Sequence, residues 1–371
     1  ISKPSTHGAT LVLWSLVLTA HVAAWPAEDP TQWGSIEHSL ANSRNTTCVK
    51  QTRFAATEAL FERAATAVGP GLPGLVAQFY ASSPHAPPGQ PGKLNPPPAD
   101  MLPAEHKRLF LGWLGESLKQ EGPYTMELRA IGLQPFKVPA GVHAMSGGGH
   151  GYISGGLYNA DMVSEALGWT GIPLETMGTV LDWGGSTGRS IAMWHAAFPK
   201  SNAHLADPIR KSIQWAANNL APDIKSVASN ARSTRTPYKK DTFDLVFAIS
   251  IWSHYNFGAN ALPMLTEMHR IVKPGGVLVI TTHGWPSLYS TITDKPTAKL
   301  ATAALKAQGH FYVAAFPNNV DWDTDTKNSD WGMSWVDPKW LVAKLSPGFK
   351  PLLLLNGRND CLQDVIVLQR N

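Results

Sequence analysis

Residues 179–189, Thr-Val-Leu-Asp-Trp-Gly-Gly-Ser-Thr-Gly-Arg, have the types and spacing of a turn that holds a nucleotide-like ligand. Val180 and Leu181 are strand residues, and Asp182 falls where the strand should end. Gly184, Gly185 and Gly188 let backbone come close to a ligand that a side chain would push away. The chemistry of such a turn is binding, with main-chain N–H groups and a helix N-terminus meeting a polar ligand. Two histidines supply residues for the other half of a reaction. His254, in Ser250-Ile251-Trp252-Ser253-His254-Tyr255, and His283, in Thr281-Thr282-His283-Gly284-Trp285, each follow a predicted strand. A neutral imidazole there takes a proton from a hydroxyl or an amine.

The turn alone does not select its ligand. A dinucleotide fingerprint, G-x-G-x-x-G, needs glycine where Ser186 stands. The spacing instead resembles the D-x-G-x-x-x-G turn of class I S-adenosylmethionine (SAM) methyltransferases. The flanks carry the same resemblance. The apolar run Ala203–Ala206 ends in Asp207-Pro208, and an acid at the end of a second strand can accept both ribose hydroxyls. Ile209, Ile213, Ala216, Ala217 and Leu220 then follow with a helical period. Ser229-Asn230-Ala231 resembles the family's Asp-Ala pair, with Asn230 in place of the commoner Asp. Phe243-Asp244-Leu245-Val246 matches the family's F-D-x-V strand. Lys273-Pro274-Gly275-Gly276, followed by Val277–Thr281, matches its K-P-G-G turn and fifth strand. The motifs stand in the family's order, and the resemblance covers about 155–371.

The resemblance implies an α/β fold: a doubly wound seven-stranded sheet, mostly parallel, with an antiparallel last strand inserted between the fifth and sixth. It implies SAM as cofactor. Asp182 would orient the methionine ammonium, Gly184, Gly185 and Gly188 would form the turn, and Asp207 would hold the ribose. Asn230 and Ala231 would read adenine, and Ser250 would close the fourth strand beside the cofactor. His254 or His283 would act on the acceptor. The expected reaction is O- or N-methylation of a small-molecule or glycan-like acceptor, with no metal, since no close-spaced His/Asp/Glu pattern offers a site. Two other readings stay open: an NAD(P)-dependent oxidoreductase with Asp207 on the NAD ribose, and a SAM-binding module without catalysis.

These residues need a scaffold, and the chain can supply one. Its 371 residues allow one large domain or a domain with an accessory region, and 43% hydrophobic residues suffice for a substantial core. Strands are predicted at 178–182, 203–207, 224–228, 243–250 and 276–282, with helices at 187–197, 209–220 and 259–272. Pro351–Leu355 and Val365–Leu368 complete this βα repetition as an antiparallel pair. Residues 26–145 read as a helical accessory region, with helices over Arg53–Val68 and Ala104–Gln120 around a proline-rich connector at 83–103. The glycine-rich Ser146–Gly156 is either a plain linker or a lid over the methionine end, from which His150 or Tyr158 could reach in.

The formal charge of +4, 31 basic against 27 acidic residues, comes without a basic block and argues against nucleic acid as the main partner. Most of the fourteen tryptophans should be packing, with two or three of Trp252, Trp285, Trp322, Trp331 and Trp335 available to line an acceptor pocket. Leu11–Ala20 is an apolar run followed by Val22-Ala23-Ala24, which fits a secretory or organelle-entry signal within residues 1–24. An uncleaved anchor, with membrane contact, and a buried helix in a cytoplasmic protein are the alternatives. Asn45-Thr46-Thr47 is a glycosylation acceptor pattern, and Cys48 and Cys361 are either a disulfide or two unrelated thiols.

Overall fold

The computed structural model describes residues 48–85, 98–139, 142, 148–229, 235–314 and 332–371. Residues 1–24 and the Asn45 triplet lie outside them. No helix among the described residues is long and apolar enough to cross a membrane.

Seven strands form one sheet: β1 (Thr179–Trp183), β2 (Asn202–Asp207), β3 (Lys225–Ala228), β4 (Phe243–Ala248), β5 (Val272–Thr282), β8 (Phe349–Asn359) and β9 (Gln363–Arg370). Their order is β3-β2-β1-β4-β5-β9-β8. β1 to β5 pair in parallel, and β9 runs antiparallel between β5 and β8, as the sequence predicts. The order reverses between β1 and β4, so a crevice for ligand opens at the carboxyl ends of those two strands. A second sheet, the hairpin of β6 (His310–Val313) and β7 (Met333–Val336), has no counterpart in the sequence reading.

Asp244 explains why a Phe-Asp pair opens β4. Its Oδ2 accepts the main-chain N–H of Thr179 at 2.8 Å, and Lys273 Nζ donates to both its oxygens at 2.8 and 2.9 Å. One carboxylate thereby aligns the starts of β1, β4 and β5. The Lys273–Gly276 motif, predicted as a turn before the fifth strand, is instead a bulge inside β5: the pairing with β4 shifts register there, and Gly275 has φ +75°.

Eleven α-helices among the described residues flank the sheets. α1 (Ala55–Val68), α2 (Leu72–Ser82), α3 (Ala104–Ser117) and α4 (Thr125–Ala130) precede the long α5 (His150–Thr170). α6 (Arg189–Ala197), α7 (Arg210–Asn219) and α8 (Ala261–Ile271) alternate with strands. α9 (Trp285–Thr291) and α10 (Lys295–Gln308) lead to the β6–β7 hairpin, and α11 (Pro338–Leu345) leads to β8. The early helices share the core of the sheet. Leu60, Phe61, Phe110 and Leu114 pack in one cluster with Val180, Ile191, Leu245 and Val279. α8 and α11 cover the other face through Met264, Leu265, Met268, Leu341 and Leu345.

The glycine-rich segment before β1 is neither linker nor loop from residue 150 onward, because α5 already begins at His150. Glycine is needed there for close packing: a Cβ at Gly156 would collide with the main chain of Arg189, and one at Gly155 would lie 3.1 Å from Arg189 Nη1. α5 also carries the polar joints of the molecule. Asp161 accepts from Thr57 N and Oγ1 at 2.9 and 2.6 Å, fixing α1. Glu165 accepts from Thr52 and Arg53, and its other oxygen pairs with Arg358 Nε at 2.6 Å, each side chain 1% exposed. Beside this joint Cys48 and Cys361 form a disulfide that ties residue 48 to the β8–β9 turn.

Candidate functional site

The turn after β1 is stitched by its own main chain and by one carboxylate. Gly184 N donates to Ala206 O at 2.7 Å and Gly188 N to Gly185 O at 2.8 Å. Gly184 and Gly188 have φ of +78° and +81°, which favours glycine at both, and Ser186 is forced to +54°. Asp207, 4% exposed, accepts Ser186 N on Oδ2 and Ile209 N on Oδ1, both at 2.8 Å. The predicted ribose acid therefore also holds the turn. Each carboxylate oxygen retains a second lone-pair direction for a further donor.

The glycines earn their places through internal packing. A Cβ on Gly184 would run into Ile251, one on Gly185 into Asp182 and Leu205, and one on Gly188 into Leu220 and Leu205. Ile251, in the loop after β4, is thus what abuts the turn at Gly184. Asn230 and Ala231, the expected adenine readers, lie outside the described residues.

Asp182 is the penultimate residue of β1, 2% exposed. It accepts the Ile191 N–H, and its Oδ2 is buried with no partner. Burial, then the negative charge of Asp207, raises its pKa to about 8. A buried, unsatisfied carboxylate oxygen is costly, and a cationic amine satisfies it.

At the ends of β4 and β5 a hydroxyl–amide network holds the loop that carries His254. Ser250, at φ +61°, donates its N–H to Thr281 Oγ1 at 2.7 Å and its hydroxyl to Gln363 Oε1 at 3.0 Å. Thr281 Oγ1 and Asn359 Nδ2 donate to the same Gln363 oxygen at 2.6 and 3.1 Å, and Gln363 Nε2 reaches Ser253 Oγ at 3.4 Å. Gln363 escaped the sequence reading because its place depends on the antiparallel register that sets Asp364 opposite Thr282.

His254 and His283 are brought together, ring centroids 6.3 Å apart. His254 Nδ1 lies 2.8 Å from Gly332 O, and His283 Nδ1 lies 3.1 Å from Ser334 O. Both contacts fix the tautomer with the proton on Nδ1 and the lone pair on Nε2. His283 is 5% exposed; burial, then neighbouring His254, lowers its pKa to about 3, so it stays neutral. His254 is half-buried, on the accessible side of the pair.

The other candidates lie elsewhere. His150 stacks on His85 with centroids 3.9 Å apart. Tyr158 is taken up by Arg358 and Asp360 at the β8–β9 turn. Trp252 and Trp285 are fully buried, and Trp335 packs 5.7 Å from the His283 ring. Trp322 and Trp331 fall outside the described residues.

Residues 180–276 match the family model described as a methyltransferase domain. No curated protein matches the chain. Among solved structures, geranyl diphosphate C-methyltransferase from Streptomyces coelicolor A3(2) is similar at 12% identity and a TM-score of 0.39, over 60% of this chain and 78% of that one. A SAM-dependent methyltransferase from Methanosarcina mazei is similar at 16% identity and a TM-score of 0.38, over 56% of this chain and 96% of that one. The family match, laid over the strand order and the turn, shows a methyltransferase domain within this chain. SAM is the cofactor expected of such a domain. The residues present fit it, since the orphaned Asp182 oxygen at the switch point of the sheet suits the cofactor's cationic end.

Proposed function

We propose that the enzyme methylates an oxygen or nitrogen of a small-molecule or glycan-like acceptor, with His254 as its general base. The observation that carries this reading is the Nδ1 contact of His254 with Gly332 O at 2.8 Å, which keeps the basic lone pair on Nε2 at the half-buried end of the strands. Bound SAM supplies a methyl group already activated on a sulfonium. Asp182 holds the ammonium and Asp207 the ribose. Ser250, through Thr281 and Gln363, fixes the loop on which His254 sits. His254 takes the proton that the acceptor loses as it is methylated. Orientation and exclusion of water supply the rest of the rate.

Among the described residues, the side chains bridging the ends of β4, β5 and β9 are hydroxyls and amides, and the nearby Arg358 is committed to Glu165. These groups are spent on one another, and with no uncommitted cation among them the strand ends favour a neutral acceptor. The test is transfer of a labelled methyl group from SAM to pooled metabolites and glycans. Label is expected in a neutral hydroxyl- or amine-bearing product. Label confined to phosphorylated acceptors or to nucleic acid would contradict this reading.

A further inference from the structure

Cys48 and Cys361 are joined across 313 positions of the chain, their Cα atoms 5.4 Å apart. Cys48 is buried, and Cys361 is half-buried in the β8–β9 turn beside exposed Asp360. The turn is shaped around this bond. Gly357 has φ +58°, and a Cβ there would lie 2.9 Å from Cys48 Sγ. Asp360 and Cys361 stand one after the other in the left-handed region, at φ +53° and +57°. Neither is glycine, so both conformations persist only while neighbouring contacts hold them. Three contacts do. Cys361 N donates to Gly357 O at 2.8 Å, Asp360 N donates to the Tyr158 hydroxyl at 3.2 Å, and the disulfide pins Cys361 itself.

Two residues beyond Cys361 lies Gln363, whose amide holds the loop after β4. Its Oε1 accepts from Asn359 Nδ2 in the same turn at 3.1 Å, and from the Ser250 and Thr281 hydroxyls at 3.0 and 2.6 Å. Its Nε2 reaches Ser253 Oγ at 3.4 Å. On the other side of the bond, Val49 N donates to Asn356 O at 2.9 Å and Thr52 N to Glu165 Oε1 at 2.8 Å. The covalent link therefore runs from the strand ends that carry His254 into the segment that leads to the early helices.

We propose that the Cys48–Cys361 bond is a thiol-exchange site whose opening by a dithiol reductant loosens the His254 loop through Gln363. One thiolate of the reductant attacks Cys361 Sγ, the more exposed sulfur, and expels Cys48 as a thiolate. The second thiolate of the reductant attacks its own sulfur in the mixed disulfide and releases Cys361. Two electrons pass to the protein, each cysteine thiolate takes up one proton, and the reductant leaves as a disulfide. Cys361 is then free to leave the left-handed region, Asn359 with it, and Gln363 loses the contact that orients its amide toward Ser250 and Ser253. The bearing of this on turnover rests on the proposed role of His254; the coupling of bond to loop does not.

The test is hydrogen exchange of the full chain read by mass spectrometry, before and after dithiothreitol without denaturant, with the reduced cysteines counted by alkylation. Both cysteines are expected to be alkylated in the folded chain. Exchange over 250–254, where Ser250 N is bonded to Thr281 Oγ1 and His254 N to Ile251 O, is expected to quicken by about tenfold or more, while β1 stays within about twofold. A double variant, Cys48→Ser with Cys361→Ser, should show the fast exchange with or without dithiothreitol. Should that variant not fold, reduction of the wild-type chain decides. A bond that resists dithiothreitol until denaturant is added would overturn the exchange site. Faster exchange confined to 48–53 and 356–362 would make the bond a local staple, and equal quickening everywhere would make it a general one; either overturns the coupling. Calorimetry of the oxidised chain with S-adenosylhomocysteine separates the two failures: absence of binding would sink the functional reading and leave the exchange result standing.

Discussion

His254 and His283 turn their Nδ1 atoms toward two alternate carbonyls of one chain segment, Gly332 O at 2.8 Å and Ser334 O at 3.1 Å. The segment is held in return: Gly332 N donates to His254 O, Ser334 N to Ser253 O and Val336 N to His283 O, at 3.1, 2.8 and 2.9 Å. β7 thus lies across the ends of β4 and β5 and sets the tautomer of both rings. Burial distinguishes the two rings: His283 is enclosed and neutral, and His254 is half-buried.

Replacing His254 with alanine is expected to lower kcat by about 10²- to 10⁴-fold, the range of a lost general base, with SAM affinity within about threefold of wild type. Steady-state kinetics beside calorimetry checks this. Full turnover in His254→Ala together with loss in His283→Ala would move the role to His283. Full turnover in both would leave positioning alone.

Asp182 gives a pH dependence with a definite sign. Its folded pKa, about 8, stands above the 3.8 of an ordinary aspartate, so between these values the folded chain holds a proton that the unfolded chain has lost. The stability tied to this proton is fully present below the lower value and is lost as pH rises through the upper one. A cationic ammonium favours the ionised carboxylate, so binding S-adenosylhomocysteine near neutral pH should release a proton. Calorimetry in two buffers of different ionisation enthalpy measures that release. Asp182→Asn should abolish it, and a wild-type chain that releases none would count against the contact.

The joint between Arg358 and Glu165 is closed to water and carries charge on both sides, so removing one partner strands the other. Arg358→Met is expected to cost about 3–5 kcal/mol of folding stability. Chemical denaturation gives the figure, and a loss below about 1 kcal/mol, the scale of an exposed ion pair, would mean that Glu165 is satisfied by Thr52 and Arg53 alone.

Much of this architecture could be read from the chain. Buried runs such as Leu245–Ala248 and Val277–Thr281 announce parallel strands, because both of their faces are covered. The turn at Asp182–Gly188 and its position at the head of the sheet were equally legible. What escaped depends on distant partners. The glycines at 155 and 156 read as a loop by local propensity, but they lie in α5 where it packs against α6. Gln363 gains its role only once β9 is paired with β5. The β6–β7 hairpin is two short strands far apart in sequence, and its contact with both histidines leaves no local pattern.

The most direct test of the cofactor site is calorimetry of the purified chain with S-adenosylhomocysteine and, separately, with NAD, each repeated on Asp182→Asn. The result expected is saturable binding of S-adenosylhomocysteine, weakened by Asp182→Asn, and no heat from NAD. Saturable binding of NAD with none of S-adenosylhomocysteine would contradict the assignment of the turn at Asp182–Gly188 to SAM.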